Sequence, residues 1–498
     1  MSPKPIYGKT RTAAVFYLNG RRHEVGADRA GMMLSDYLRY DRRLTGTKVV
    51  CAEGDCGACS VLRLFPYAAE ANLYQPMNSC IATVAQMDGS SLVTVDALAN
   101  GEELSPAQAA MLKSHGSQCG FCTPGFVVAL TGLIEKKVCA GASEACTSAE
   151  AKNALTGNLC RCTGYQPIID AATSVDLSNC PSLLKRFYSK EQAADLRAAL
   201  RVPLVLEGET FEFYAPRTAK EAAKFLRKNP DARLVGATTD LGVVHNKGKI
   251  RLAKLVSLHL QEDLYRVKKS RSRLSVGARV TLTELRTATK ECAPEFARFL
   301  DLFASPQIKN VATLVGNVGN ASPIADTPPF LLVSDARARV VGPTGEREIP
   351  LVDFYLDYRK TALRAGELII AIDFAVPGKS ESLALYKASQ RKDLDISTVN
   401  AAFRAEWTDA GRSKFRSIEI AFGGVAAVPM RARKTEAVLR GQPVSPALLR
   451  TACATLRTEM KPLSDLRGSA AFRQVLVENL LAKFFREHSA IGKAEAFQ

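Results

Sequence analysis

Eight cysteines, in two groups, carry the chemistry this sequence can do. The first group reads Cys51-Ala-Glu-Gly-Asp-Cys56-Gly-Ala-Cys59, and Cys80 follows after a gap of twenty residues. C-x4-C-x2-C…C is the spacing of a plant-type [2Fe–2S] site, in which four thiolates surround two irons. Three of them come from one tight loop and the fourth from the next element. Gly54 and Gly57 let the loop curl with its amides inward. Amides that donate to the sulfurs raise the reduction potential. Zinc or buried thiols are the alternative, but zinc usually takes paired C-x2-C units. Here the pairing is asymmetric and the loop is rich in glycine.

The second group pairs Cys119-Gly-Phe-Cys122 with Cys160-Arg-Cys162. Alone, this pattern is open to zinc. A C-x-C pair is tight for tetrahedral zinc yet can serve one iron of a cluster, and the neighbouring loop favours a second [2Fe–2S]. Two clusters in tandem read as an electron wire.

The elements that must position these thiols are legible around them. Ala14 to Leu18 and His23 to Val25 suit a hairpin around Asn19-Gly20, and Ser60 to Leu64 a further strand. Together they fit a β-grasp-like sheet carrying a metal loop. Around the second group the pattern is helical. Ser105-Pro106 caps one helix running toward His115-Gly116. Thr123-Pro124 starts another, with Phe126, Leu130, Leu133 and Ile134 on one face. Gly157 is placed to stop a third. Gln166-Pro167 opens a fourth. Four helices with the cysteine pairs at their ends make a metal-holding bundle.

The chain has 498 residues, about three domains' worth. Lys plus Arg is 67 against 50 Asp plus Glu, a net charge of +17. Residues 1–175 hold 16 basic and 15 acidic residues, so 16 of the 17 excess charges lie later in the chain. Nucleic acid as a partner is not expected, because no helix-turn-helix, zinc-finger or RNA-recognition signature accompanies the charge. A positive field speeds encounter with anionic dinucleotides, and otherwise the charge reads as a solvated surface or a patch meeting an acidic subunit. No apolar run reaches the ~18–20 residues a membrane helix needs, and the first ten residues lack a secretory h-region. No membrane association and a cytoplasmic location are expected. Ten of the thirteen cysteines fall between Cys51 and Cys162, which suits metal better than disulfides.

Gln118-Cys119-Gly-Phe-Cys122-Thr-Pro-Gly125 and Cys160-Arg-Cys162-Thr-Gly-Tyr165 resemble the molybdenum hydroxylase family, which includes xanthine dehydrogenases and aldehyde oxidases. The resemblance implies a second cluster beside a molybdopterin and a contact from Gln118 to the pterin. The stretch from Lys136 to Ala149 lengthens the spacing, and its Cys139 and Cys146 read as ordinary thiols.

Residues 176–210 read as a connector with a charged helical stretch from Ser189 to Arg201. An α/β pattern follows, with a helix from Thr218 to Lys228 and a short strand running into small residues, Ala232 to Gly242. Such a loop lets backbone approach a pyrophosphate. A second loop, Ile308 to Asp326, alternates small residues and amides. Both resemble the flavin domain of the same family, the vanillyl-alcohol-oxidase-like (PCMH-type) FAD fold. Carried over, the FAD contacts are Leu234, Val235, Gly236, Ala237, Thr238, Thr239, Asp240 and Leu241 in the first loop, with Gly236-Ala237-Thr238 departing from the usual placing of glycine. In the second loop they are Thr313, Leu314, Val315, Gly316 and Asn317. Phe303, Asp326, Ile369 and Lys387 complete the set. Tyr358 to Thr361 and Ala421 to Ala426 resemble further family signatures.

The resemblance runs from about Val15 to about Glu487 and implies an α+β multidomain chain. The expected parts are a β-grasp ferredoxin-like domain (12–98), a four-helix [2Fe–2S] bundle (99–178), a linker (179–206), the FAD domain (207–380) and a C-terminal α+β flavoprotein subdomain (381–490). The 498 residues are not expected to hold the family's molybdenum domain, so the resemblance is to the small, iron–sulfur plus FAD subunit of bacterial-type xanthine dehydrogenases. Iron–sulfur and flavin parts fused in one chain favour that branch over carbon monoxide dehydrogenase-like enzymes. The implied partner is a molybdopterin-binding large subunit, in a heterotetramer or larger assembly. Hypoxanthine or xanthine would be hydroxylated there. Electrons would pass through the Cys119/Cys122/Cys160/Cys162 cluster, then the Cys51/Cys56/Cys59/Cys80 cluster, to FAD and on to NAD. No catalytic side chain is expected on this chain, since the flavin performs hydride transfer. The same module in an aldehyde or N-heterocycle hydroxylase is one alternative, and a zinc-stabilised, non-redox interaction protein is another.

Overall fold

The computed structural model describes residues 10–68, 73–178, 180–378 and 380–490. The chain divides into two compact units. The first holds residues up to Tyr265 together with Thr281–Glu284 and Ala304–Thr313, and the second holds the rest.

The first unit begins with β1 (Ala14–Leu18) and β2 (Arg21–Val25), an antiparallel hairpin. Its turn residues Asn19 and Gly20 both take positive φ, as a two-residue hairpin loop requires. Strands β3 (Ser60–Leu64), β4 (Gln75–Asn78) and β5 (Ser91–Val93) complete a sheet in the order β2-β1-β5-β3-β4, with β1 and β5 parallel. Both faces of β3 are covered. Val61 points into one apolar core, while Leu62 and Leu64 join the core of the helices that follow.

Those helices are Pro106–Lys113, Thr123–Cys139, Ser148–Leu155 and Gln166–Thr173. Capping boxes at Ser105/Gln108 and Thr147/Glu150 fix two of the starts. Phe126, Leu130 and Ile134 are buried as their spacing predicts. Gly157 differs from expectation. It lies two residues past the third helix and is not among the left-handed residues. A Cβ there would collide with the amide oxygen of Gln307, so its role is close approach rather than chain reversal.

The 176–210 stretch is more than a connector. Lys190–Leu200 is a helix capped by Ser189, with Leu196 and Leu200 buried, and Asp195 accepts from Tyr17 and Arg22. Strand β6 (Leu204–Glu207) already pairs with β7 (Glu212–Ala215). With β8 (Arg233–Val235) and β9 (Lys254–Ser257) they form a sheet in the order β6-β7-β9-β8. The Ala219–Lys228 helix connects β7 to β8. Leu204, Phe213, Val235 and Leu255 share one core with Phe16 and Val61 of the first sheet and with Leu34 of the short Leu34–Asp36 helix.

Asp88 ties the two sheets by polar contacts. Fully buried, it accepts from Arg11 Nη1 and Nη2 (2.7 and 2.8 Å), from Val15 N, and pairs with His259 Nε2 at 2.9 Å.

In the second unit, β10 (Val267–Lys269), β11 (Arg273–Gly277), β12 (Arg337–Gly342), β13 (Gly345–Pro350) and β16 (Leu368–Ala375) form an antiparallel sheet in the order β10-β11-β16-β12-β13. The small hairpin of β14 (Tyr355–Asp357) and β15 (Lys360–Thr361) lies between β13 and β16 in sequence. A second antiparallel sheet runs β17 (Glu381–Ala388), β18 (Val399–Trp407), β19 (Phe415–Gly423) and β20 (Met430–Arg431). The helices Arg433–Leu439, Pro446–Glu459 and Ala470–His488 cover one of its faces around Phe403, Phe415, Phe422 and Phe484.

Candidate functional site

The first cysteine loop curls as its glycines predict. Ala52, Gly54 and Gly57 all take positive φ. Two backbone N–H groups, of Glu53 and Cys56, donate to Cys51 Sγ at 3.3 and 3.5 Å, and Asn78 Nδ2 donates to Cys59 Sγ at 3.6 Å. Side-chain contacts join Cys51 to Cys56 and Cys80, and Cys59 to Cys80. Hydrogen bonds from Cys56 and Cys80 hold Cys51 well below the usual thiol range. Sharing a proton with Cys51, together with burial, pushes Cys56 and Cys80 up. Four thiols this close cannot all ionise without a cationic centre among them.

Cys59 and Cys80 are buried, packed with Ile81, Val49, Val243 and Ile308. The Leu241–Asn246 helix lies against this group. Asn246 Nδ2 donates to the carbonyls of Ala52 and Cys80, both at 2.8 Å. Gly242 is held so tightly that a Cβ would strike the Ile81 carbonyl.

In the second group Cys122 contacts Cys160, and Cys119 contacts Cys162. Burial, and next the Cys160 contact, push the Cys122 thiol up to about 12. Thr163 Oγ1 lies 3.2 Å from Cys160 Sγ, and the Tyr165 hydroxyl accepts from Cys160 N at 3.0 Å. Among the described residues, no three His, Cys, Asp or Glu converge as a single metal ion needs. In the first group Cys51 meets both Cys56 and Cys80, and Cys80 also meets Cys59, while the second group meets as two pairs; four thiols gathered in each group suit a two-iron cluster. The donor sets fit: Cys51, Cys56, Cys59 and Cys80 would hold one cluster, and Cys119, Cys122, Cys160 and Cys162 the other. Cys119 and Cys162 are exposed, as are Gln118, Phe121, Leu159 and Tyr165 around them. Cys139 is exposed, its thiol against Glu135 Oε1, and Cys146 is buried.

The residues expected to contact FAD fall in both units. In the first, Leu234 and Val235 end β8, and Gly236 to Asp240 form the loop into the 241–246 helix. Thr238 is the left-handed residue of this loop, φ 54°, and its hydroxyl lies 2.6 Å from Ile81 O and 2.9 Å from Gln86 Oε1. A threonine therefore occupies the conformation where glycine is usual, held by side-chain hydrogen bonds. Thr239 and Leu241 are half-buried. Thr313 is buried and bridges to Thr281.

In the second unit, Leu314 to Gly319 form a short helix, where the sequence pattern suggested only loop. Leu314, Val315 and Val318 bury one side of it, which the small-residue alternation hid. Gly316 is exposed, and Asn317 Oδ1 accepts from Thr327 Oγ1 at 2.6 Å. Ile369 of β16 is buried near Gly319. Asp326 does not stand free: it accepts from Lys387 Nζ at 2.8 Å, Ser397 Oγ at 2.5 Å and Asn400 Nδ2 at 2.9 Å. Asp326 and Lys387 thus belong to one network, and Asn317 is tied separately to Thr327, the residue after Asp326. Phe303 is half-buried at the end of the Pro294–Leu302 helix. Sequence reasoning missed Asn78, whose partner Cys59 is 19 residues away, just ahead of the neighbouring strand, and Asn158, Asn246 and Gln307, whose partners lie 101 or more residues away and leave no local signal.

Three family descriptions match: a [2Fe-2S] binding domain over residues 94–173, the FAD binding domain in molybdopterin dehydrogenase over 209–377, and the CO dehydrogenase flavoprotein C-terminal domain over 384–488. These matches define an iron–sulfur flavoprotein of mixed α/β multidomain fold. Xanthine dehydrogenase 1 of Arabidopsis thaliana is 31% identical over 96% of this chain and 40% of its own length. Aldehyde oxidase 1 of Bos taurus is 29% identical over 96% of this chain and 39% of its own. The chain thus spans about two fifths of the length of these relatives. A solved structure of reconstituted CO dehydrogenase from Oligotropha carboxidovorans, 26% identical, aligns with a TM-score of 0.52 over 56% of this chain and 97% of that one. The chain belongs to the molybdenum hydroxylase family, as its electron-transfer iron–sulfur and flavin module.

Among the described residues, no helix is long and apolar enough to cross a membrane.

Proposed function

We propose that this chain is the electron-transfer subunit of a xanthine dehydrogenase, serving a molybdopterin-binding partner chain that hydroxylates hypoxanthine and xanthine, with NAD as the final acceptor. When bound, the clusters carry electrons singly and FAD pairs them for hydride transfer. The protein's own residues supply distance, potential and shelter from water. The Glu53, Cys56 and Asn78 donors stabilise negative charge on sulfur. The 241–246 helix and Ile308 close over the buried Cys59 and Cys80. Lys387 and Asp326 pre-pair in the second unit, so that a lysine charge is held in one place.

One observation carries the reading: the backbone N–H of Leu159 donates to the carbonyl of Cys56 at 3.0 Å. A single hydrogen bond therefore links a thiol residue of the first group to the neighbour of Cys160 in the second. The first group also lies against the expected flavin loop's helix, while the second opens outward beside Phe121, Leu159 and Tyr165. Such an arrangement has one end for a flavin and one for a partner chain. The likeness to plant xanthine dehydrogenase favours purine as the partner's substrate. The test is co-purification with the molybdenum chain, followed by turnover of xanthine and of an aldehyde with NAD. Aldehyde turnover without xanthine turnover would move the module to an aldehyde hydroxylase. A colourless protein with zinc at both cysteine groups would overturn the redox reading altogether.

A further inference from the structure

The two cysteine loops meet backbone to backbone at three glycines. A Cβ at Gly57 would collide with the Gly157 carbonyl, and a Cβ at Gly125 with the Gly57 carbonyl. Gly125 lies three residues beyond Cys122, Gly57 follows Cys56, and Gly157 lies three before Cys160. No side chain can interdigitate at this joint, so shape alone does not lock it.

Two side-chain amides do. Asn158 Nδ2 donates to Gly57 O at 3.2 Å, and Asn158 Oδ1 accepts from Gln307 Nε2 at 2.8 Å. Gln307 Nε2 also reaches Ser60 Oγ at 3.3 Å, whose hydroxyl donates to the same Gly57 O at 2.7 Å. The orientation is determined, because a carbonyl only accepts: Asn158 must present its NH2 to Gly57 and its oxygen to Gln307. Both amides are buried, Gln307 completely. Its Oε1 has no partner among the described residues. An apolar side chain of equal volume would avoid the cost of that orphaned oxygen, so what the amide adds over mere filling is direction. Gln307 also belongs to the Pro306–Lys309 turn, whose Ile308 packs against Cys59 and Cys80 and which leads to Thr313. One amide thus ties both cysteine loops to the segment that precedes the second expected flavin loop.

We propose that Asn158 and Gln307 are positioning residues for electron transfer, their amide chain fixing the Gly57–Gly125–Gly157 joint and hence the separation of the two redox groups. The proposal rests on reading both cysteine groups as [2Fe–2S] ligands.

The test uses the full chain with its partner and the variants Gln307→Met and Asn158→Ala. Methionine matches glutamine in volume and lacks its hydrogen bonds, so a packing role would survive the first substitution. The readout is the spin–spin splitting between the two clusters in the electron paramagnetic resonance spectrum of the fully reduced protein, with iron and flavin content measured alongside. The expected result is full iron and flavin with the splitting changed or lost in both variants, and slower electron equilibration between clusters. An unchanged splitting in iron-replete Gln307→Met overturns the proposal, whatever becomes of Asn158→Ala. Loss of iron from Gln307→Met also counts against it, since the amide would then be needed for assembly rather than for placement. Wild-type protein with fewer than four irons per chain overturns instead the two-cluster reading beneath it.

Discussion

Lys387 Nζ lies 2.8 Å from Asp326 Oδ2, and both side chains are buried, 3% and 7% exposed. Ser397 and Asn400 complete the carboxylate's partners. Removing one member of such a pair leaves a buried charge uncompensated, at a cost of about 3–5 kcal/mol. Lys387→Ala is expected to lower the melting temperature and weaken flavin retention. Lys387→Met with Asp326→Asn should recover much of the stability but not the flavin. Flavin absorbance per chain after gel filtration, read beside thermal melts, separates the two effects. Unchanged flavin content in Lys387→Ala would remove Lys387 from the flavin site.

Asp88 is expected to contribute to the acid stability of the first unit. Burial favours its neutral form, but hydrogen bonds and charge from Arg11 and His259 outweigh burial and hold it well below the usual carboxylate range. A carboxyl depressed on folding contributes stability above its unfolded value, near ~4, which is lost as pH falls toward its folded value. Arg11→Ala should therefore destabilise the protein by about 3–5 kcal/mol at neutral pH. It should also move the acid-unfolding limb upward toward the ordinary carboxylate range. Thermal melts from about pH 2 to about pH 7, a range that spans the ordinary carboxylate value of ~4, check this. An acid limb that stays in place would assign the depression to His259 instead.

Two glycines beside the second cysteine group should respond differently. Gly120 has φ 85° with open space around its Cβ position, so alanine there meets only the left-handed strain of about 1–2 kcal/mol. Gly125 has no positive φ but abuts the Gly57 carbonyl, so alanine must push the two loops apart. Iron analysis should find near-normal content in Gly120→Ala and a loss in Gly125→Ala. Equal content in both would mean that the joint can yield.

Cys119→Ser tests the order of transfer. Cys119 belongs to the exposed, outward group, remote in sequence from the Cys59 and Cys80 pair packed beside Val243. Reduction of the flavin by the partner's substrate should fall by orders of magnitude, while NADH-to-dye activity persists. Stopped-flow flavin absorbance measures the first and steady-state dye reduction the second. Parallel loss of both activities would reverse the assignment of the two groups.

Features set by neighbours in the chain were readable without coordinates. The Asn19-Gly20 turn, the Ser105 helix start and the curl of the 51–59 loop depend on residues within a few positions of one another. The cysteine spacing made both thiol groups legible, since ligands to a shared centre must be spaced by the loops that carry them, and it supported the family to which the chain belongs. The 314–319 helix escaped because its buried face, Leu314, Val315 and Val318, is too short to show a period among glycines and asparagines. The 190–200 helix was legible as a charged helical stretch, but its packing was not, because its polar ties, such as Asp195 to Tyr17, span more than 170 residues.

What the chain's sequence determined by itself was therefore chemical identity: which atoms can ligate, which turns can form, and which family they belong to. Tertiary structure alone decided who meets whom. Gly57 needs no side chain only because Gly157 arrives against it, and Asn158 matters only because Gln307, 149 positions on, comes to lie beside it. Asp88 finds His259 across 171 positions for the same reason. Close packing brings such groups together by excluding water from between segments, and that exclusion is a property of the folded whole rather than of any local stretch.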